Sequence, residues 1–385
     1  PPRPHAGGGF SGKVLHECPM TQHITLDRAL PLAQQAVKGH NRWHPDVPPV
    51  VEVAPGEQVV MDTLDAADGQ IVPSTTLADL GKVVANAHPL TGPVAVAGAE
   101  PGDLLAVKIE EIHPQPFGWT RSRAGFGFLR DLLVADHLTR WSLREGFARS
   151  EDLPGVRIPA APFMGVMGVA PSPALHRAAL ERETALAAAG GVALPPQPEG
   201  AVPAHLGHDA MRTIPPRENG GNVDIRDLVA GTTVYLPVFQ PGALFSAGDA
   251  HFAQGDGEVC GTAIEMGATL AVRFEVIKGG AARQRNLSFE WQGPGYPPGL
   301  HPPGRYFATT GLCVRKDGSN ASEDVTLAAR NALLNMIDHL QQRYGYSDVQ
   351  AYHLCSVAVH LKLSQVVDLP NVLVTALLPL DVIEA

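Results

Sequence analysis

An aspartate and a histidine two residues apart, Asp249 and His251, lie in the segment Gly-Asp-Ala-His-Phe-Ala-Gln-Gly-Asp-Gly-Glu from Gly248 to Glu258. Leu244-Phe245-Ser246-Ala247 reads as a strand leading into them, and on an extended chain positions two apart point to the same side. The carboxylate and the imidazole can therefore converge on one small object, and together they suit zinc or a similar divalent ion. Glycines on both sides of Asp256 permit a tight turn and let a substrate approach the main chain. Val259 to Met266 reads as a further strand, with Gly261, Ala263 and Glu265 on one face and Cys260, Thr262, Ile264 and Met266 on the other. Small neighbours beside an inward Glu265 leave space for a ligand or metal. Taken singly, Asp-x-His and Gly-Asp-Gly are more often structural turns. Asp249, His251, Glu258 and Glu265 crowded between apolar stretches are harder to dismiss, because burying them unpaired costs several kcal/mol. A metal or an internal hydrogen-bond network must compensate.

Three other segments carry candidate chemistry. His40-Asn41-Arg42-Trp43-His44-Pro45-Asp46 reads as a loop able to close over a pocket. Asp62 to Gln70 holds three carboxylates, which could bind a cation or cap a turn. His88-Pro89-Leu90-Thr91-Gly92-Pro93 reads as a rigid turn with one exposed histidine. Several chemistries lack their sequence signatures: there is no Gly-x-Ser-x-Gly elbow, no Walker A sequence and no His-Glu-x-x-His. Cys260 would be the nucleophile of a cysteine-dependent amidase, but it falls on the apolar side of its strand, with no lysine nearby, and reads as a core residue.

These groups need a scaffold, and the composition points to strands. The 385 residues are 44% hydrophobic and 18% charged, and include 40 glycines and 35 prolines, many for a helical protein. Period-two alternation follows a glycine turn four times, after Gly56, Gly102, Gly231 and Gly267, as in strands with one face buried. The expected fold is mainly β, with β-sandwich-like halves and a packed C-terminal helix. Ala174 to Ala189 reads as a helix ended by Gly190-Gly191, and a Pro-rich loop runs from Pro195 to Pro203. A second helix, 322–344, would be capped by Ser322 and stopped by Gly345, with Leu333, Ile337, Leu340 and Tyr344 on one face. Ala351 to Leu363 and Val372 to Pro379 read as buried strands. The expected organisation is a disordered leader over 1–20, an N-terminal β-rich part over 21–170, a helical and Pro-rich insertion over 171–205, and a C-terminal β-rich part over 206–385. The net charge of −10 comes without a basic stripe, which argues against nucleic acid. No stretch reaches the ~20 apolar residues of a membrane span. The four cysteines are widely spaced, which fits a reducing compartment better than a disulfide framework.

The same segments resemble the acetamidase/formamidase family. The matching motifs are His40–Pro45, Asp68–Ile71, His88–Pro93, Gly98–Asp103, Gly220–Asp224 and Gly248 through Glu265, in family order, and the resemblance runs from about His23 to Pro379. It implies a mostly β, homo-oligomeric, cytoplasmic enzyme that hydrolyses short aliphatic amides to acid and ammonia. It also implies a divalent metal, zinc before calcium, with Asp65, Asp249, His251 and Glu265 as ligands. Glu258 would be the general base, with His88 and Gln254 as further catalytic groups that orient the reactants, and Asn41 and Trp43 on the substrate. Main-chain N–H groups of Gly255 to Gly257 would stabilise the oxyanion. The chain departs from both branches of the family. Tyr235–Val238 and Gly248–His251 resemble the shorter acetamidase type, the material from Gly118 to Pro171 is closer to the longer formamidase type, and the Ala174–Gly191 helix fits neither. Two rival readings stand beside this one: a non-catalytic binding protein holding structural Ca²⁺, and the Cys260 amidase.

Overall fold

The four glycine-led segments form the strands Gln58–Thr63, Leu104–Pro114, Thr233–Pro237 and Ala268–Ile277 in a computed structural model. Residues 21–84, 87–133, 135–285, 288–294, 305–366 and 370–384 are described, so the leader expected over 1–20 lies outside them. The four strands are consecutive neighbours in one six-stranded sheet, in the order Gln58–Thr63, Ala268–Ile277, Leu104–Pro114, Thr233–Pro237. Val59, Met61, Leu105, Val107, Leu270 and Val272 are fully buried, as the alternation requires. Each contributes about 1.5–3 kcal/mol by leaving water. The strands from residues 21–170 and 206–385 are thus interleaved in a single sheet rather than separated into two halves.

A second, larger sheet carries the site. Its central strand, Phe245–His251, is buried at every position. One edge pairs with Phe163–Val169. The other edge is shared: Phe245 to Gly248 pair with Leu90–Val96, and Ala250 and His251 pair with Glu265–Met266. The change of partner falls at Asp249, whose φ of 57° is left-handed. Such a conformation is uncommon for a non-glycine residue and clusters at functional sites.

The strand expected over Val259 to Met266 is only Glu265–Met266. Glu258 and Gly261 have φ of 46° and 91°, which breaks extended geometry, so the chain turns there instead. The helix expected over Ala174–Ala189 spans Pro173–Ala188, with Ser172 accepting from the Leu175 N–H. The C-terminal helix spans Val325–Tyr344; its cap is Asp324 rather than Ser322, and Gly345 at φ 74° ends it. It packs on a three-stranded sheet of Tyr306–Leu312, Leu373–Pro379 and His360–Gln365. The segment read as a strand from Ala351 is instead the helix Asp348–Ala358, opened by a capping box between Ser347 and Gln350. Every residue from Ala351 to Ala358 is buried, so the helix has no polar face to reveal its period. Among the described residues no helix is long and apolar enough to cross a membrane. Cys260, Cys313 and Cys355 are free and buried.

Candidate active site

His251 ends the central strand, and its two ring nitrogens have different surroundings. Nδ1 lies 2.9 Å from the Gln254 side-chain oxygen, and the Gln254 amide nitrogen donates to the Asp224 carbonyl at 2.8 Å. That second bond fixes the amide's orientation, so Nδ1 carries a proton and Nε2 is the nitrogen open to a second proton or a metal ion. The Nε2 atom faces three carboxylates: Glu265 at 3.2 Å, Asp249 at 3.5 Å and Glu258 at 3.9 Å. Glu265 accepts the Ala263 N–H through Oε1 at 2.9 Å. Its Oε2, Asp249 Oδ1 and Asp224 Oδ1 are buried without a hydrogen-bond partner among the described residues. Ligand atoms of Asp249, His251 and Glu265 lie within 4.8 Å of one another, and so do those of Asp224, His251 and Glu258.

This packing is possible because position 165, on the neighbouring strand, is glycine. A Cβ there would sit 2.7 Å from Asp224 Oδ1 and 2.8 Å from both Asp249 Oδ2 and His251 Cε1. Burial raises Asp224 to about 7 and Glu265 to about 8. Glu258 is pushed well above the ordinary range by burial and then by Asp224. Burial also opposes ionisation of Asp249, but the adjacent His88 and His251 hold it well below the usual carboxylate value. His251 is disfavoured as a cation by burial, yet Glu265 and Asp249 carry it well above its usual value. In physical terms the pocket calls for positive charge at Nε2: a proton or a metal ion.

Asp249, Glu258 and Glu265 line a cavity of about 360 Å³. Ala67, Ile71 and Trp119 give it an apolar wall, and Arg121, Arg123 and Arg212 also reach it. A larger depression of about 820 Å³, beside Arg140, Asp152 and Glu384, contains none of the cluster, and Arg140 and Asp152 are paired there at 2.8 Å.

The structure brings together Asp249, His251, Glu258, Glu265, Gln254 and His88, whose Nε2 is 3.7 Å from Asp249. Asp65 is buried nearby, but its Oδ1 accepts the main-chain N–H of Ala67 at 2.8 Å and Gly69 at 3.2 Å. That is the turn-capping alternative, and Asp65 belongs to neither ligand group. Asn41 and Trp43 do not line the cavity. Asn41 clamps the Pro-rich loop, donating to the Gly200 carbonyl at 2.8 Å and accepting the Val202 N–H at 2.7 Å. Trp43 packs among Leu90, Val166, Ala179 and Met211. The His40–Asp46 segment therefore anchors the insertion rather than closing over a pocket. The expected oxyanion donors also differ, because the Gly255 N–H is taken by the Ser356 carbonyl at 2.7 Å. Cys260 is buried outside the cavity lining, with a thiol raised by burial and facing the Thr262 carbonyl at 3.5 Å. Asp224 is the one acidic member not foreseen. Its motif, Gly220–Asp224, was the available signal.

Comparison with known proteins places nearly the whole chain in one family. The model of the Acetamidase/Formamidase family matches residues 25–385. An acetamidase of Mycolicibacterium smegmatis is 38% identical over 361 residues, covering 86% of this chain and 87% of its own. A formamidase of Methylophilus methylotrophus is 35% identical over 371 residues, covering 90% and 89%. A solved structure of a gamma lactamase from Delftia acidovorans superposes with a TM-score of 0.88 at 34% identity, covering 94% of each chain.

Proposed function

Because the chain belongs to the acetamidase/formamidase family, we propose that it hydrolyses a short aliphatic amide of the formamide or acetamide type to a carboxylic acid and ammonia. The observation that supports this most directly is His251 Nε2 facing the buried carboxylate oxygens of Glu265 and Asp249, which have no hydrogen-bond partner among the described residues. That donor set fits a divalent ion held by Asp249, His251 and Glu265, with Asp224 alongside. An imidazole in a compact group of three favours zinc over calcium, which takes six to eight oxygens. Bound there, the ion would supply Lewis acidity to polarise an amide carbonyl and acidify water.

The remaining chemistry falls to the chain. Glu258, with its raised affinity for protons, accepts the proton of the attacking water and returns it to the departing nitrogen, so that ammonia leaves. Gln254 holds the His251 tautomer, and His88 beside Asp249 keeps that carboxylate ionised. The apolar wall of Ala67, Ile71 and Trp119 receives the alkyl group and excludes water. A homo-oligomer and a cytoplasmic location belong to the same reading, checked by sedimentation and by cell fractionation.

Ammonia release from formamide, acetamide and propionamide tests the proposal, with chelation and zinc restoration as the second arm. No release from any short linear amide would overturn it, and full activity after rigorous metal removal would sink the metal role. Cys260→Ala is expected to keep its turnover; abolished activity would favour the cysteine mechanism. One observation favours a second substrate type. A cavity of about 360 Å³ has room well beyond acetamide, which suits a cyclic amide, the substrate type of the gamma lactamase relative. Ring opening of a γ-lactam, followed as loss of the amide, distinguishes the two.

A further inference from the structure

The segment His40–Asp46 contributes nothing to the cavity, yet it places one histidine in unusual company. His44 is buried, and its ring meets that of His176, in the first turns of the Pro173–Ala188 helix, edge to face at 4.8 Å between centroids. Asp209, from the loop before the Met211–Arg212 strand, lies beside both. Its Oδ1 is 3.5 Å from His44 Nε2, and ligand atoms of His44, His176 and Asp209 fall within 4.8 Å of one another. Three segments distant in sequence thus bring two imidazoles and a carboxylate to one point.

Hydrogen bonds fix the tautomer of each ring. His176 Nε2 lies 3.0 Å from the Asp209 carbonyl oxygen, which can only accept, so Nε2 bears the proton. Its Nδ1 is left as a lone pair, with no hydrogen-bond partner among the described residues. A backbone carbonyl that fixes the tautomer of a ligating histidine is a recurrent feature of metal sites. His44 Nδ1 accepts the Asp46 N–H at 3.1 Å, and the Asp46 carboxylate lies 3.8 Å from the same nitrogen. That bond leaves the neutral ring's proton on Nε2, facing Asp209, so a metal at Nε2 requires the proton to move to Nδ1, the Asp46 N–H to give way and the Asp46 carboxylate to close in from 3.8 Å. Asp209 is exposed on its outer side, which leaves room for water to complete a tetrahedron. The helix's positive end works against a cation, but that effect is weak and falls off within a turn.

We propose that His44, His176 and Asp209 form a second divalent-metal site of the zinc type, separate from the catalytic cluster, which pins the helical insertion to the ribbon carrying Arg212. Arg42–Trp43 pairs with Met211–Arg212 next to this point, and Arg212 reaches the catalytic cavity. The site would therefore brace one wall of the cavity without touching substrate.

Zinc content of the full chain after equilibrium dialysis against zinc decides the matter, with Co²⁺ ligand-field spectra as a second readout. Wild type is expected to hold one equivalent more than His176→Gln or Asp209→Asn. His251→Gln should retain the equivalent that His176→Gln loses, so failure of the catalytic metal and failure of this site give different counts. Asp209→Asn changes an exposed side chain, which guards against a variant that merely misfolds; both are checked by circular dichroism. Zinc stoichiometry and Co²⁺ spectra unchanged in folded His176→Gln and Asp209→Asn proteins would overturn the proposal.

Discussion

Asp65 is buried, and burial raises its carboxyl to about 6 although two main-chain N–H groups favour ionisation. The unfolded chain ionises this group near pH 4, so the folded state binds the extra proton between pH 4 and 6. Stability from Asp65 is present below that window and lost as pH rises through it, by roughly 3 kcal/mol once both states are ionised. Asn keeps the acceptor without the charge. Asp65→Asn should therefore melt progressively above wild type as pH goes from 4 to 8, and it should keep its metal. A loss of bound metal would instead make Asp65 a ligand. Glu258→Gln makes a complementary prediction. It retains shape and hydrogen bonding but cannot shuttle a proton, so kcat should fall by about 10²–10⁴ with metal content unchanged. Unchanged turnover in that variant would remove Glu258 from the base role.

At the scale of elements, the site depends on close backbone approach at two glycines. A methyl at Gly165 would enter the space shared by Asp224, Asp249 and His251, so Gly165→Ala should abolish activity and metal binding while most of the sheet persists. Gly255 meets the end of the Asp348–Ala358 helix, where a Cβ would lie 2.2 Å from the Val359 carbonyl oxygen. That helix also holds the turn through Ser356, whose hydroxyl donates to the Thr262 carbonyl at 2.7 Å. Gly255→Ala should lower the melting temperature and kcat together, because Glu258 rides on the same turn; thermal melts and steady-state kinetics read both. The strands of the scaffold were legible because each buries one face and leaves period-two alternation after a glycine. The convergence of Asp249 and His251 was legible for the same reason. The Asp348–Ala358 helix was not, since burial on all sides erases the periodic signal. Nor was Asp224, whose loop meets His251 only through tertiary packing, or the left-handed turn at Glu258, which replaces an expected strand.

For the whole molecule, the order of strands in the six-stranded sheet governs how the chain holds together. Gln58–Thr63 and Leu104–Pro114 both pair with Ala268–Ile277, so neither side of residue 205 has a complete sheet alone. Fragments 21–205 and 206–385 expressed separately should fail to give cooperative thermal transitions, whereas the intact chain should melt as one unit. Two independently cooperative fragments would argue for separable parts. The same arrangement sets a timetable during synthesis. Thr63 and Ala268 are hydrogen-bonded partners 205 residues apart. At about 5–20 residues per second, a ribosome takes roughly 10–40 seconds to deliver the second after the first. For most of that interval, once Leu104–Pro114 has been made, the apolar faces of Gln58–Thr63 and Leu104–Pro114 lack the strand that belongs between them. Nascent chains of this protein should accordingly lean on ribosome-associated chaperones, and its yield in a foreign host should depend on translation rate more than on final stability.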